Sequence, residues 1–150
     1  MKVYEGHVIY EPVREGAEES LSSPEEVSRY LTDAFNSYPL QEQFYVIPLN
    51  RKNYPLGRFL VTLGTATSAL VHPREVFRPA ILSGATSIVV AHNHPSGDPT
   101  PSRADISITR KLNEASRFLD ISLTDHIVMG SKKVDPNNLG YYSFADAGLV

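Results

Sequence analysis

The 150-residue sequence contains no cysteine and no tryptophan. Without cysteine the chain cannot build a disulfide framework, a cysteine-ligated zinc site, an iron–sulfur cluster or a thiol nucleophile. Any metal must be held by histidine, aspartate or glutamate. No run approaches the roughly 18 consecutive apolar residues of a transmembrane helix. The opening residues, MKVYEGHVIYEP, lack the basic, then apolar, then small-residue layout of a signal peptide, so a cytoplasmic protein with no membrane contact is expected. Neither sign of charge dominates: 14 Lys and Arg against 17 Asp and Glu leave a net charge of −3. That balance gives no electrostatic footprint for nucleic acid, and weak or no direct duplex-DNA binding is expected.

What is present suffices for one ordinary domain. Hydrophobic residues make up 41% and charged residues 21%, a balance that argues against disorder. Residues 1–13 read as a strand, because Val3, Val8, Ile9 and Tyr10 are β-formers. Residues 14–22 (REGAEESLS) read as an acidic connector. Ser23-Pro24-Glu25-Glu26 then opens a helix, with Ser as N-cap, Pro at the first helical position and Glu three after the cap. Val27, Tyr30, Leu31, Ala34, Phe35 and Tyr38 continue at helical spacing, and Pro39 ends the predicted helix.

Residues 42–49 (EQFYVIPL) are apolar on both alternating faces, which predicts a strand covered on both sides. A turn over residues 50–57 and a strand over 58–63 complete a predicted hairpin. His72-Pro73-Arg74-Glu75 opens a second helix that Pro79 is expected to kink. Residues 87–92 form a short buried strand, and residues 93–101 (NHPSGDPTP) are a loop. A third helix runs from Ser102 to about Leu119, with Ile108, Leu112, Ala115 and Leu119 as its stripe. Residues 121–129 are a strand, 135–140 a turn and 141–150 a tail with a further strand. Hairpin and strand–loop–helix–strand units together predict an α/β domain of two or three layers with a mixed sheet.

The chemistry concentrates in His92-Asn93-His94, Ser102 and Asp105. Residues two apart on an extended chain point the same way, so both imidazoles can reach one point. Asp105 precedes Ile108 and Leu112 by three and seven residues, which puts it on the inward stripe of its helix. Two neutral imidazoles and a carboxylate make a catalytic zinc set with an open fourth position, where bound zinc brings the pKa of water to about 7. Ser102 can donate to an oxyanion. The base must reach the water without binding the metal, and Glu42 and Glu75 are both candidates. Ser102-x-x-Asp105 is at the same time an N-cap box.

These residues resemble a known family. His92-x-His94, seven residues, Ser102, two residues and Asp105 is similar to the JAMM motif of JAB/MPN-domain metalloproteins. The string HNHPSGDPTPSRAD resembles the RadC-type bacterial branch. Glu42-Gln43-Phe44, Leu49-Asn50, Gly64-Thr65, Pro73-Arg74-Glu75-Val76-Phe77-Arg78, Asp125-His126 and Tyr142-Ser143-Phe144 agree with it. The resemblance spans about residues 22–147, leaving 1–22 as a strand and acidic connector before a domain over 23–150. It implies a single-domain α/β/α sandwich with a mixed sheet, of the cytidine-deaminase-like type. It also implies zinc held by His92, His94 and Asp105, with Glu42 as the base and Ser102 as the oxyanion residue. Characterised JAMM proteins cleave peptide or isopeptide bonds, so the expected partner is an unidentified protein or peptide substrate. RadC-type members were named for DNA repair and commonly carry an N-terminal helix-hairpin-helix region, which this sequence does not show. The literal His-Asn-His is not the nuclease motif of that name. Zinc deaminases need His-x-Glu and Pro-Cys-x-x-Cys, which are missing here.

The expected function is therefore that of a zinc-dependent metallopeptidase or isopeptidase. The alternative is a DNA-repair- or mobile-element-associated binding protein with a non-catalytic metal site. Other residues have plainer expectations. Glu75 complements a helix dipole, and Arg74 and Arg78 lie on a solvated face. Lys132-Lys133 is an exposed turn, and Tyr141 and Tyr142 pack a C-terminal edge. His126 is expected to hydrogen-bond a neighbour or backbone, with support of the metal as the alternative.

Overall fold

The computed structural model describes residues 1–9, 11, 19–64 and 71–150. In chain order the elements are α1 (Pro24–Tyr30), β1 (Glu42–Leu49), β2 (Phe59–Gly64), α2 (Pro73–Ser83), β3 (Ser87–Asn93), α3 (Arg103–Leu119), β4 (Ser122–Met129) and β5 (Tyr141–Ser143). The strands form one sheet in the order β2-β1-β3-β4-β5. β1 pairs antiparallel with both β2 and β3, so the predicted hairpin is present. β3 and β4 are parallel, and β4 and β5 antiparallel. A parallel pair needs a long crossover, which α3 supplies.

Alternation along β1 and β3 sends successive side chains to opposite faces of the sheet. Phe44, Val46, Ile88 and Val90 pack with Val76, Phe77 and Ala80 of α2 and with Ile108 and Leu112 of α3. Ile47, Leu49, Val89 and Ala91 pack on the other face against Val27 and Leu31. The domain thus has three layers, with α1 on one face of a mixed sheet and α2 and α3 on the other. Coverage of both faces is why every residue of β3 is buried.

Three sequence expectations need correction. Residues 1–9 form no strand: Val3, Tyr4, Val8 and Ile9 are exposed, since β-propensity without a partner edge does not make a strand. Tyr10 and residues 12–18, which include most of the connector, lie outside the described residues. The first helix ends at Tyr30 rather than continuing to Pro39, and residues 31–37 are turns. The Thr32 hydroxyl donates back to the Arg29 carbonyl at 2.9 Å, and Ala34 N–H donates to the Leu31 carbonyl at 3.0 Å in the tighter i→i+3 pattern. The buried stripe nevertheless continues through Leu31 and Ala34. In the third case, Leu119 closes the stripe of α3 in the sequence reading but is 42% exposed. The buried residues of α3 are instead Asp105, Ile108, Thr109, Leu112 and Ser116.

Elsewhere the elements lie where the sequence puts them, within one or two residues. α2 continues past Pro79 to Ser83 and ends on Gly84, whose φ of 68° is the left-handed conformation glycine adopts without strain. Among the described residues no helix is long and apolar enough to cross a membrane.

Candidate metal centre

The site lies at the end of β3 where the start of α3 returns to the sheet. His92 sits on the face of β3 that α2 and α3 cover. Its ring stacks on Phe44, its antiparallel partner on β1, with centroids 6.0 Å apart and planes 9° apart. His94 lies just past the strand, where its backbone N–H donates to the Met129 carbonyl at 2.9 Å. The intervening Asn93 points to the opposite face. There its side-chain oxygen accepts from Gln43 N–H at 2.7 Å and its amide donates to the Gln41 carbonyl at 3.1 Å. One tripeptide therefore aims two imidazoles at the site and uses its middle residue to fasten β3 to the start of β1.

The loop from His94 to Pro101 is tied to the end of β4. Gly97 N–H donates to the His94 carbonyl at 2.9 Å, and Ser131 N–H to the Gly97 carbonyl at 2.7 Å. A Cβ on Gly130 would run into that Gly97 carbonyl oxygen, so this close approach needs glycine. The loop delivers Ser102 as the N-cap of α3. Ser102 Oγ accepts from Asp105 N–H at 3.1 Å, while Asp105 Oδ2 accepts from Ser102 N–H at 2.7 Å. The capping box of the sequence reading is present, and it fixes the Asp105 carboxylate in place.

Three functional groups converge here. His92 Nε2 is 3.2 Å from Asp105 Oδ1, His94 Nε2 is 3.3 Å from Asp105 Oδ2, and the two Nε2 atoms are 3.1 Å apart. The His92 and Asp105 side chains are 1% and 5% exposed and that of His94 14%, so the cluster opens to solvent on the His94 side. Among the described residues these three form a group able to hold a metal ion, one ligand atom from each lying within 4.8 Å of the others.

The electrostatics favour positive charge at that point. Burial alone would raise the Asp105 carboxyl, but positive charge on the His92 and His94 rings that face it at 3.2 and 3.3 Å outweighs burial and holds the group far below the ordinary carboxylate range. Burial opposes a charge on His94, yet the facing Asp105 carboxylate, the Asp98 carbonyl and the charge of Glu42 all favour the protonated ring and leave its pKa raised. His94 Nδ1 lies 2.8 Å from that Asp98 carbonyl oxygen, which only accepts, so Nδ1 carries the proton and the neutral ring presents a lone pair at Nε2. Lone pairs and carboxylate oxygens packed this closely repel one another unless a cation sits among them. The donor set therefore fits a divalent metal ion.

The other expected site residues are placed as follows. Glu42 begins β1, two residues before Phe44 and on the same face, close enough to His94 for its charge to act on that imidazole. Ser102 is exposed at the tip of α3. Because its oxygen accepts from Asp105 N–H, its hydroxyl proton is left to donate. Glu75 stands in the first turn of α2, ion-paired with Arg74 at 3.4 Å and with Arg78 at 3.2 Å, as a helix-start carboxylate should be. Lys132 and Lys133 are exposed, and Tyr142 packs edge-on against Phe144.

His126 has a fuller role than the sequence reveals. It is completely buried on β4, stacked on Phe144 with centroids 4.7 Å apart. Its Nε2 lies 2.8 Å from His92 Nδ1, and its Nδ1 lies 2.6 Å from Thr109 Oγ1. Burial pushes its pKa well below the ordinary histidine value, with the neighbouring His92 acting in the same direction. Thr109 and the Asn93–Gln43 pair escape the sequence reading altogether. The one local signal for His126 is a polar Asp-His pair just before the apolar run Ile127-Val128-Met129 of the strand.

Fold and site together define a class: a three-layer α/β domain whose central strand and crossover helix present a His-His-Asp group able to hold a metal. A family model described as "RadC-like JAB domain" matches residues 21–149. The chain belongs to that family. It is 41% identical over 131 residues to a UPF0758 protein of Caldanaerobacter subterraneus subsp. tengcongensis, covering 87% of this chain and 56% of the relative. It is 50% identical over 109 residues to a UPF0758 protein of Symbiobacterium thermophilum, covering 73% and 44%. A UPF0758 protein of a Geobacillus species is 44% identical over 113 residues, covering 75% and 50%. The chain spans about half the length of these curated relatives.

Proposed function

We propose that this domain is a zinc-dependent hydrolase that cleaves an amide bond in a peptide or isopeptide substrate. The observation that carries the reading is the convergence of His92, His94 and Asp105 on one point, with no fourth His, Asp or Glu ligand among the described residues. Structural zinc sites close with four protein ligands, whereas three ligands with an open side are the catalytic pattern. Spacing supports zinc as well. A tetrahedral ion with bonds of about 2.0–2.1 Å holds its ligand atoms about 3.3–3.4 Å apart. The two Nε2 atoms here are 3.1 Å apart, and each lies 3.2–3.3 Å from a different one of the two Asp105 oxygens. Membership of the JAB-domain family supports the same reading.

Zinc bound by these three residues supplies a nucleophile at neutral pH and polarises the scissile carbonyl. The protein's own groups do the rest. Glu42, beside His94 but outside the ligand group, takes the proton of the attacking water and returns it to the leaving amine. The Ser102 hydroxyl donates to the oxyanion that develops on the carbonyl. His94 keeps its Nδ1 proton on the Asp98 carbonyl, so its Nε2 stays available to the metal.

Elemental analysis of the purified chain should find about one zinc per molecule, and His94→Ala should lose it. Glu42→Gln should fold, keep its zinc and lose activity by about a hundredfold or more, the scale of a missing general base. The same variant serves to trap substrates from a lysate for mass spectrometry. Glu75→Gln should keep most activity and lose at most about 1 kcal/mol of stability. Activity that survives Glu42→Gln and vanishes in Glu75→Gln would mean that the wrong carboxylate has been chosen. Zinc retained by His94→Ala sinks the metal centre itself.

A further inference from the structure

A chain of three hydrogen bonds runs through the buried side of the site, and its direction can be read from its ends. At one end is the backbone carbonyl of Asp105, which can only accept. Thr109 Oγ1 lies 2.6 Å from that oxygen and also 2.6 Å from His126 Nδ1. A hydroxyl has one proton, and the carbonyl takes it. Thr109 Oγ1 must then accept from His126, which places a proton on His126 Nδ1. The ring is completely buried against Phe44 and Phe144, and among the described residues no carboxylate contacts it to balance a second proton, so Nδ1 carries its one proton and Nε2 holds a lone pair. That lone pair faces His92 Nδ1 at 2.8 Å, and His92 must donate to it. The remaining nitrogen of His92, Nε2, is then a bare lone pair aimed at His94 and Asp105.

The reverse direction fails at the same carbonyl. If Thr109 donated to His126, two acceptor oxygens would face each other at 2.6 Å. His126 would carry its proton on Nε2, and His92 would carry its own on the nitrogen that faces Asp105. A protonated Nε2 cannot bind a metal.

We infer that Thr109 and His126 are positioning residues: one backbone carbonyl, relayed through a hydroxyl and a second imidazole, locks His92 in the tautomer that leaves Nε2 free to ligate. The inference rests on the reading of His92 as a metal ligand. Metal-bound histidines usually orient through a carboxylate, a carbonyl or water. Here an imidazole intervenes, and the directing carbonyl belongs to Asp105, itself a member of the ligand group.

Long-range proton–nitrogen NMR correlations on the metal-free protein with labelled histidine report which ring nitrogen carries each proton. Both His126 and His92 should be protonated on Nδ1. Thr109→Ser keeps the hydroxyl and should keep this pattern, with zinc affinity within about threefold of wild type by chelator competition. Thr109→Val keeps the shape and removes the hydroxyl. It should shift His92 toward the Nε2-protonated form and weaken zinc binding by about 10- to 100-fold. A purely structural role would lower the melting temperature of Thr109→Val and leave the His92 tautomer unchanged, which would overturn the inference. His92 protonated on Nε2 in the wild-type chain would overturn it directly. Failure of the wild-type chain to bind zinc at all would instead overturn the metal-centre reading, whatever the tautomer spectrum shows.

Discussion

On the proposed reading Asp105 both caps α3 and binds the metal, and two substitutions separate these roles. One oxygen closes the capping box by accepting from Ser102 N–H at 2.7 Å, while both oxygens stand within 3.2–3.3 Å of the imidazoles. Asp105→Asn keeps an acceptor for the Ser102 N–H but removes the charge. Asp105→Ala removes both. Neither variant carries the carboxylate, so their difference in the metal-free state isolates the cap, worth about 1 kcal/mol. In a chain of this size that is a melting difference of about 2–4 °C. The metal role appears on adding zinc. At a zinc concentration about 1,000 times the dissociation constant, wild type gains about 4 kcal/mol. A hundredfold weaker site at the same concentration gains only about 1.4 kcal/mol. Differential scanning fluorimetry with and without zinc reads both quantities. Both variants should lose most of the zinc-dependent shift, and Asp105→Ala alone should lose the additional 2–4 °C without metal. A full zinc shift in Asp105→Asn would show that the carboxylate is not a ligand. Identical metal-free melting of the two variants would show that the box contributes nothing to α3.

Two further outcomes follow from other parts of the chain. Asp125 accepts from the Ser143 hydroxyl at 2.7 Å, from His126 N–H at 2.7 Å and from Ala145 N–H at 2.9 Å. Burial nevertheless raises its pKa above the usual 3.8. A folded-state pKa above the unfolded one gives stability that is present at low pH and lost as pH rises through the raised value. Asp125→Asn carries no charge, so in urea titrations its stability relative to wild type should improve between about pH 4 and pH 7; a gap that moves the other way refutes the account. For nucleic acid, the net charge of −3 predicts duplex-DNA binding weaker than about 1 µM at physiological salt. A sequence-specific nanomolar affinity in fluorescence anisotropy would reverse that expectation.

The fold was legible where its causes are local. The Ser23 box, with Glu26 reaching back to the Ser22 and Ser23 N–H groups at 2.7 and 3.0 Å, is visible four residues at a time. Where α1 ends is not. Its apolar spacing continues to Tyr38, but carbonyls beyond Tyr30 are taken by side chains from β1. Tyr45 hydroxyl donates to Ala34 at 3.0 Å, and the Gln43 amide donates to Phe35 at 3.1 Å and Tyr38 at 3.0 Å. Those partners arrive only when the sheet forms, so periodicity overextends the helix. Residues 1–9 show the converse. They have the composition of a strand, and strand formation depends on an edge that the sequence does not name.

The site divides along the same line. His92-x-His94 and Ser102-x-x-Asp105 are readable because strand alternation and the helix cap are short-range geometry. Thr109 is not, and for His126 the sequence indicates a hydrogen-bonded role without naming the partners, since its contact with Thr109 joins residues 17 apart and its link to His92 joins residues 34 apart. The capping box also leaves Asp105 able to serve as the proposed metal ligand. A carboxylate has about four lone-pair sites on two oxygens, and the cap uses one of them. A helix N-terminus favours the ionised form, which is the form a metal needs. Ordering a flexible carboxylate opposes binding, and the Ser102 N–H has already fixed this one in the metal-free chain. The helix start is thus the reason Asp105 can be a ligand at all: what stabilises α3 locally also preorganises the third donor opposite the two imidazoles of β3.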